Sequence, residues 1–128
     1  MNFARVLLLA ALTSVSVPVA DRPAHAAGFD CKRAKSLVEK QICGVPEFSK
    51  QDGEIASLYI RTLAALSKDD AGSLRAEQRA WVKEREECEE MIHGDPVVMA
   101  DVLACVRKVM GERKERLQAI LERKQYFK

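Results

Sequence analysis

One helical face limits the fold of this chain more than any other feature. Leu74, Gln78, Trp81, Arg85 and Cys88 recur at spacings of four, three, four and three. Residues at those spacings lie on a single side of an α-helix. An ordinary amphipathic stripe would carry Leu or Ile where Gln78 and Arg85 stand. Here the only Trp of the chain, a Cys and two large polar side chains share the stripe. The pattern predicts a long helix packed on both sides, with a polar network and a disulfide inside the fold.

The four cysteines set the second constraint, and what precedes them says where they are oxidised. Arg5 is a short positive region, Val6 to Leu12 an apolar run, and Pro18 breaks it. Ala24-His25-Ala26 then places small residues three and one before a cut. Residues 1–26 therefore read as a secretory signal peptide, since the apolar run is too short to span a bilayer. Residues 27–128 are left as one domain with no membrane span expected. All four cysteines lie in this part, an even count that fits two disulfides formed in an oxidising compartment. The first, Cys31, follows Gly28-Phe29-Asp30 and not the apolar run directly, so no lipid anchor is expected. The expected location is the periplasm, with secretion as the other possibility.

Along the mature chain the helix signals are regular. Ser36-Leu37-Val38-Glu39 matches a capping box and predicts a short helix from Leu37 to Cys43, ended by Gly44 and Pro46. A second helix, at about 47–67, is carried by Phe48, Asp52, Ile55, Tyr59, Thr62 or Leu63, and Leu66. Val45 is a poor cap for it, and Ser49 with Asp52 offers a later start. Ser67 to Gly72 reads as a turn, and a third helix as about Ser73 to His93. Gly94-Asp95-Pro96 breaks that helix and opens a fourth. Met99, Val102, Val106, Val109, Arg113, Leu117, Ile120 and Leu121 lie on one face of it, which runs to about Lys124. Nothing alternates with period two. The expected class is all-α, a small bundle of one short and three longer helices stapled by two disulfides.

Four cysteines permit three pairings. The local one, Cys31–Cys43 with Cys88–Cys105, is favoured by where the breaks fall. In one continuous helix Cys31 and Cys43 would lie about 18 Å apart, so their bridge needs the lead-in to fold back at the Ser36 cap. Cys88 and Cys105 flank Asp95 and come level when two helices fold back there. Closing that loop contributes roughly 3 kcal/mol in the chain-entropy model.

The polar residues have structural readings first. Arg85 needs an acid on the second or fourth helix, with Asp52 a candidate, and Gln78 a backbone group or Tyr59. Trp81 reads as a core anchor and Arg79 as an outward side chain. Nothing points to an enzyme. His93 is the one histidine of the mature chain, no zinc constellation or phosphate loop is present, and no metal or cofactor is expected. Charge is polarised along the chain. Glu84, Glu86, Glu87, Glu89, Glu90, Asp95 and Asp101 face a single base, Arg85, whereas residues 107–128 are strongly basic. The acidic stretch can steer a cationic protein partner. The basic end can meet an anionic envelope polymer, but without interleaved aromatics it does not read as a nucleic-acid surface.

These residues together resemble a known family. Phe29-Asp30-Cys31-Lys32-Arg33-Ala34, Val38-Glu39-Lys40-Gln41-Ile42-Cys43, Pro46-Glu47, Asp52, Leu58-Tyr59, Leu74-Arg75, Gln78-Arg79-Ala80-Trp81, Arg85, Cys88 and Cys105 look like the pattern of LprI-like lysozyme inhibitors. The resemblance implies a disulfide-stapled helical envelope domain. In some members it inhibits lysozyme, and such inhibition would serve to evade a host defence. The motif residues Cys31, Cys43, Cys88, Cys105, Gln78, Trp81 and Arg85 look like scaffold. Val45 stands where the family usually has an acid, so the start of the second helix is expected to differ. The expected function is a periplasmic inhibitor that occludes the cleft of a lysozyme or other muramidase. The loops Gly44-Val45-Pro46 and His93-Gly94-Asp95 are the expected plugs, with Glu84, Glu86, Glu87, Glu89 and Glu90 steering. The alternative is a non-inhibitory module that binds peptidoglycan or an endogenous lytic enzyme.

Overall fold

The computed structural model describes residues 28–90 and 99–126, and these form an all-α bundle. The predicted leader, residues 1–26, and the predicted turn His93-Gly94-Asp95 lie outside the described residues. After a 3-10 turn, Cys31–Arg33, come α1 (Leu37–Gly44), α2 (Pro46–Ala65), α3 (Lys68–Glu87) and α4 (Met99–Tyr126). There is no strand among the described residues.

The local starts follow from short polar side chains. Asp30 accepts from the Lys32 N–H and begins the 3-10 turn. Ser36 accepts from the Glu39 N–H while Glu39 reaches back to the Ser36 N–H, which completes the expected capping box. The lead-in folds back beside α1, as the Cys31–Cys43 bridge requires, with Cα atoms 5.8 Å apart. The second bridge is Cys88–Cys105, at 5.7 Å.

The start of α2 agrees with the expected 47 to within one residue, without the later start that Ser49 and Asp52 offered, whereas the start of α3 departs from the expectation. α2 opens at Pro46 with no side-chain cap, because proline tolerates the missing first-turn hydrogen bond. Ser49 and Asp52 are then buried inside the helix and do not cap it. α3 starts at Lys68, five residues before the expected Ser73. Ser67 is its cap, accepting from the Asp70 N–H, and Asp69 and Asp70 suit the positive end of the helix dipole. Gly72 is tolerated at an exposed position just past the first turn at a cost of about 1 kcal/mol. Leu66 and Ser67 are extended to serve that cap, which ends α2 at Ala65. α3 closes at Glu87 as the chain tightens, with Cys88 N–H bonded to Arg85 O and Glu89 N–H to Glu86 O.

The core lies between α2 and α4, the most extensive helix pair, and is closed by α1 and α3. Val38 and Ile42 enter it from α1, Phe48, Ile55 and Leu58 from α2, Leu74 and Trp81 from α3. α4 contributes Val102, Val106, Val109, Met110, Leu117 and Leu121. Each fully buried large aliphatic or aromatic side chain contributes about 1.5–3 kcal/mol. Met99, expected on the packed face of α4, is exposed, and Met110 is buried in addition to the expected stripe. A stripe of about 100° does not discriminate among positions at its edge. No helix among the described residues is long and apolar enough to cross a membrane.

Candidate functional site

Trp81 is the structural centre. Its indole is buried, and Nε1–H donates to the Val109 carbonyl of α4 at 3.2 Å. Two guanidinium groups approach the ring, Arg85 at 5.2 Å and Arg113 at 5.8 Å from its centroid. Both arginines are buried, so each needs hydrogen-bond partners inside the fold.

Arg85 finds acids on both sides. Its Nη1 donates to Asp52 Oδ1 on α2 at 3.0 Å, and Nε and Nη2 donate to Glu86 Oε1. The Phe29 ring lies at 5.9 Å from the same guanidinium. The Gly28 N–H donates to the other Asp52 oxygen at 2.7 Å. Burial is the largest influence on Asp52, and it outweighs the opposing pull of Arg85 and the Gly28 N–H. The Asp52 carboxyl is thereby held above its ordinary range.

Arg113 is the partner that helix periodicity placed correctly but did not interpret. Its Nε and Nη2 both donate to Gln78 Oε1, at 3.0 and 2.7 Å, and Nη1 donates to Glu77. Gln78 thus bonds Arg113, not a backbone group or Tyr59, which is half-buried against the core. An arginine among eight bases in residues 107–128 looks like surface charge, and only its register with Val109 and Leu117 marks it as buried. Arg79 is exposed, as expected.

Tertiary contacts divide the acidic stretch. Glu86 is occupied by Arg85, and Glu89 accepts from the Leu37 N–H at the start of α1 at 3.0 Å. That carboxylate meets the positive end of the α1 dipole. Glu84, Glu87 and Glu90 are exposed and make no ion pair among the described residues. The basic end is largely neutralised. Arg107 pairs with Glu47, Lys108 with Glu112, Lys114 with Glu54, Arg116 with Glu77 and Lys124 with Asp70.

The α1–α2 joint is a single residue. Val45 is half-buried against the core, with exposed Gly44 and Pro46 on either side. The Cys31–Cys43 bridge lays the 3-10 turn next to this joint. Among the described residues no group of His, Cys, Asp and Glu is arranged to hold a metal ion.

The family model described as lysozyme inhibitor LprI matches residues 31–117. The chain belongs to the LprI family. The matched stretch runs from the first disulfide cysteine to Leu117, so it contains both bridges, Trp81 and both buried arginines. LprI is a family of inhibitors, and membership implies lysozyme inhibition as the activity class. Neither a curated protein nor a solved structure matches the chain.

Proposed function

We infer that this LprI domain is an exported inhibitor of lysozyme-type muramidases that acts in the periplasm by covering the active-site cleft. The family match carries this reading. Two disulfides in a domain of this size support an oxidising compartment, and the leader read from residues 1–26 supplies the route. The domain after that cut is residues 27–128. The Trp81 network is occupied by its own protein partners, so it serves to hold the bundle, and recognition falls to exposed surface. Glu84, Glu87 and Glu90 supply the steering field for a cationic lysozyme, with Glu86 and Glu89 adding charge from positions tied into the fold. The joint at Val45 and Pro46 lies at the edge of the contact. The predicted turn at His93, Gly94 and Asp95 is a second proposed edge.

Binding to peptidoglycan or another anionic polymer is the less favoured reading. Four of the α4 bases that would carry it, Arg107, Lys114, Arg116 and Lys124, are paired with acids of neighbouring helices.

The deciding experiment is clearance of a cell-wall suspension by c-type lysozyme with oxidised protein added. Inhibition that saturates near one to one and is lost on disulfide reduction is expected. No inhibition of c-type lysozyme or of bacterial muramidases, with sedimentation on purified sacculi instead, would replace this reading with the wall-binding one.

A further inference from the structure

The segment between Asp30 and Lys40 has an unusual division of charge. It carries two acids, Asp30 and Glu39, and both are used on backbone amides. Asp30 accepts from the Lys32 N–H, and Glu39 from the N–H groups of Lys35 and Ser36 at 2.6 and 3.2 Å. The cations Lys32, Arg33, Lys35 and Lys40 are all exposed, and none has an acid partner among the described residues. On α4 the balance differs, and Arg107, Lys114, Arg116 and Lys124 pair across with acids of α2 and α3.

This cationic arm is also held at both ends. The Cys31–Cys43 bridge ties its start to the last turn of α1, and the Glu39 carboxylate ties its end to the first turn. Beside it an open groove of about 500 Å³ is lined by Arg33 and Lys35, by the acids Asp30, Glu39 and Glu86, which are engaged on backbone amides or on Arg85, and by Phe29, Ser36 and Val82. Val82 is one of three large apolar side chains left exposed among the described residues, at 38%. The surface therefore has an apolar spot, a cavity and a rim of unpaired cations, all on backbone that is already ordered. Binding through such a surface loses little conformational entropy.

We propose that the arm Cys31–Lys35, with Lys32 and Arg33 at its tip, is the part of this inhibitor that faces the catalytic carboxylates of the muramidase. The proposal rests on the inhibitor reading above and names its contact. Lysozyme-type enzymes hold two carboxyl groups about 5–10 Å apart across the scissile bond. Two adjacent cations on a pinned turn match a target of that charge. The exposed acids Glu87, at the end of α3, and Glu90, just beyond it, attract the cationic body of such an enzyme while the arm meets its acidic cleft.

The test uses the oxidised mature protein and its Lys32→Glu/Arg33→Glu variant. Neither side chain is buried or part of a cap, so the variant should unfold at the wild-type urea concentration. Its inhibition constant against c-type lysozyme should rise about a hundredfold. A lysozyme whose catalytic glutamate is replaced by glutamine should bind the wild-type inhibitor more weakly. It should no longer distinguish wild type from the double variant as sharply. If wild type inhibits and the double variant inhibits equally well, the arm is not the contact, although the inhibitor reading stands. A loss that is identical for both lysozymes would also remove the carboxylates as the target of the arm. If the wild-type protein inhibits no muramidase, the inhibitor reading itself falls and takes the arm with it.

Discussion

Two guanidinium groups lean on one indole, and their surroundings differ in a way that separates energy from geometry. Arg85 and Arg113 are both buried and both within 6 Å of the Trp81 ring. Arg85 is compensated by a buried carboxylate, Asp52, whose ionised form is penalised by desolvation. Arg113 is compensated by the neutral amide of Gln78 and by Glu77, which stays about a third exposed and also receives Arg116. Burial raises the Glu77 carboxyl, but the bonds from Arg116 and Arg113 outweigh it and hold it below its ordinary range. Similar stacking thus goes with opposite shifts in the acid. What decides the sign is how far the acid, and not the arginine, has been taken out of water.

The largest expected effect follows from that contrast. Arg85→Ala leaves the buried Asp52 without its cation, and should cost about 3–5 kcal/mol. Arg113→Ala leaves an amide and an acid that keeps Arg116, and should cost about 1–3 kcal/mol. Urea unfolding of the two oxidised variants measures both. Equal losses would break the comparison, because the state of the partner would then not matter.

The second prediction acts on the Arg85 side alone. A Cβ at Gly28 would stand 2.7 Å from the Ala56 Cβ and 3.1 Å from Asp52 Oδ2. Both neighbours are fixed, one by the α2 backbone and the other by Arg85. Gly28→Ala should therefore push the lead-in off α2, weaken the Gly28–Asp52 bond and cost about 1–3 kcal/mol. A neutral result in urea unfolding would show that the lead-in is not part of the Asp52 enclosure.

The smallest effect sharpens the sign. Asp52 is raised, so its contribution is fully present below the unfolded carboxylate range and is lost as pH rises through its folded value. Glu77 is lowered, so its contribution is present above that range and is lost as pH falls through its folded value. Compared at about pH 7 and about pH 3, the stability of wild type relative to Asp52→Asn should improve towards acid. Relative to Glu77→Gln it should decline over the same interval. A shift of the same sign for both variants would mean that Arg85 outweighs desolvation at Asp52.

How much of this was legible depended on the range of each signal. The Ser36–Glu39 capping box spans four residues and was read correctly from type and spacing alone. The Ser67 cap is as short, yet Gly72 made residues 67–72 read as a turn. Propensity cannot show that a glycine at an exposed position near a helix start is cheap enough to keep. Asp52 was legible as a partner of Arg85 because a buried arginine demands an acid. Gln78 was misassigned because an amide can satisfy many donors, and nothing local identifies Arg113 as the one it meets. The steering acids divide in the same way. Nothing in a run of glutamates says that Glu89 will accept from the start of α1.

What the chain alone determined was the inventory: four helices, the local disulfide pairing, the indole and polar groups of α3 on one face, and the family pattern. Each rests on contacts within a few turns, or on a break that brings neighbours level. The tertiary structure decided which charges remain available. It buried Arg113, paired the bases of α4, and used Asp30 and Glu39 on backbone amides. Lys32, Arg33 and Lys35 were left at the surface without an acid partner among the described residues. Side-chain pairing across helices depends on register and distance in three dimensions, and residue order alone does not specify either.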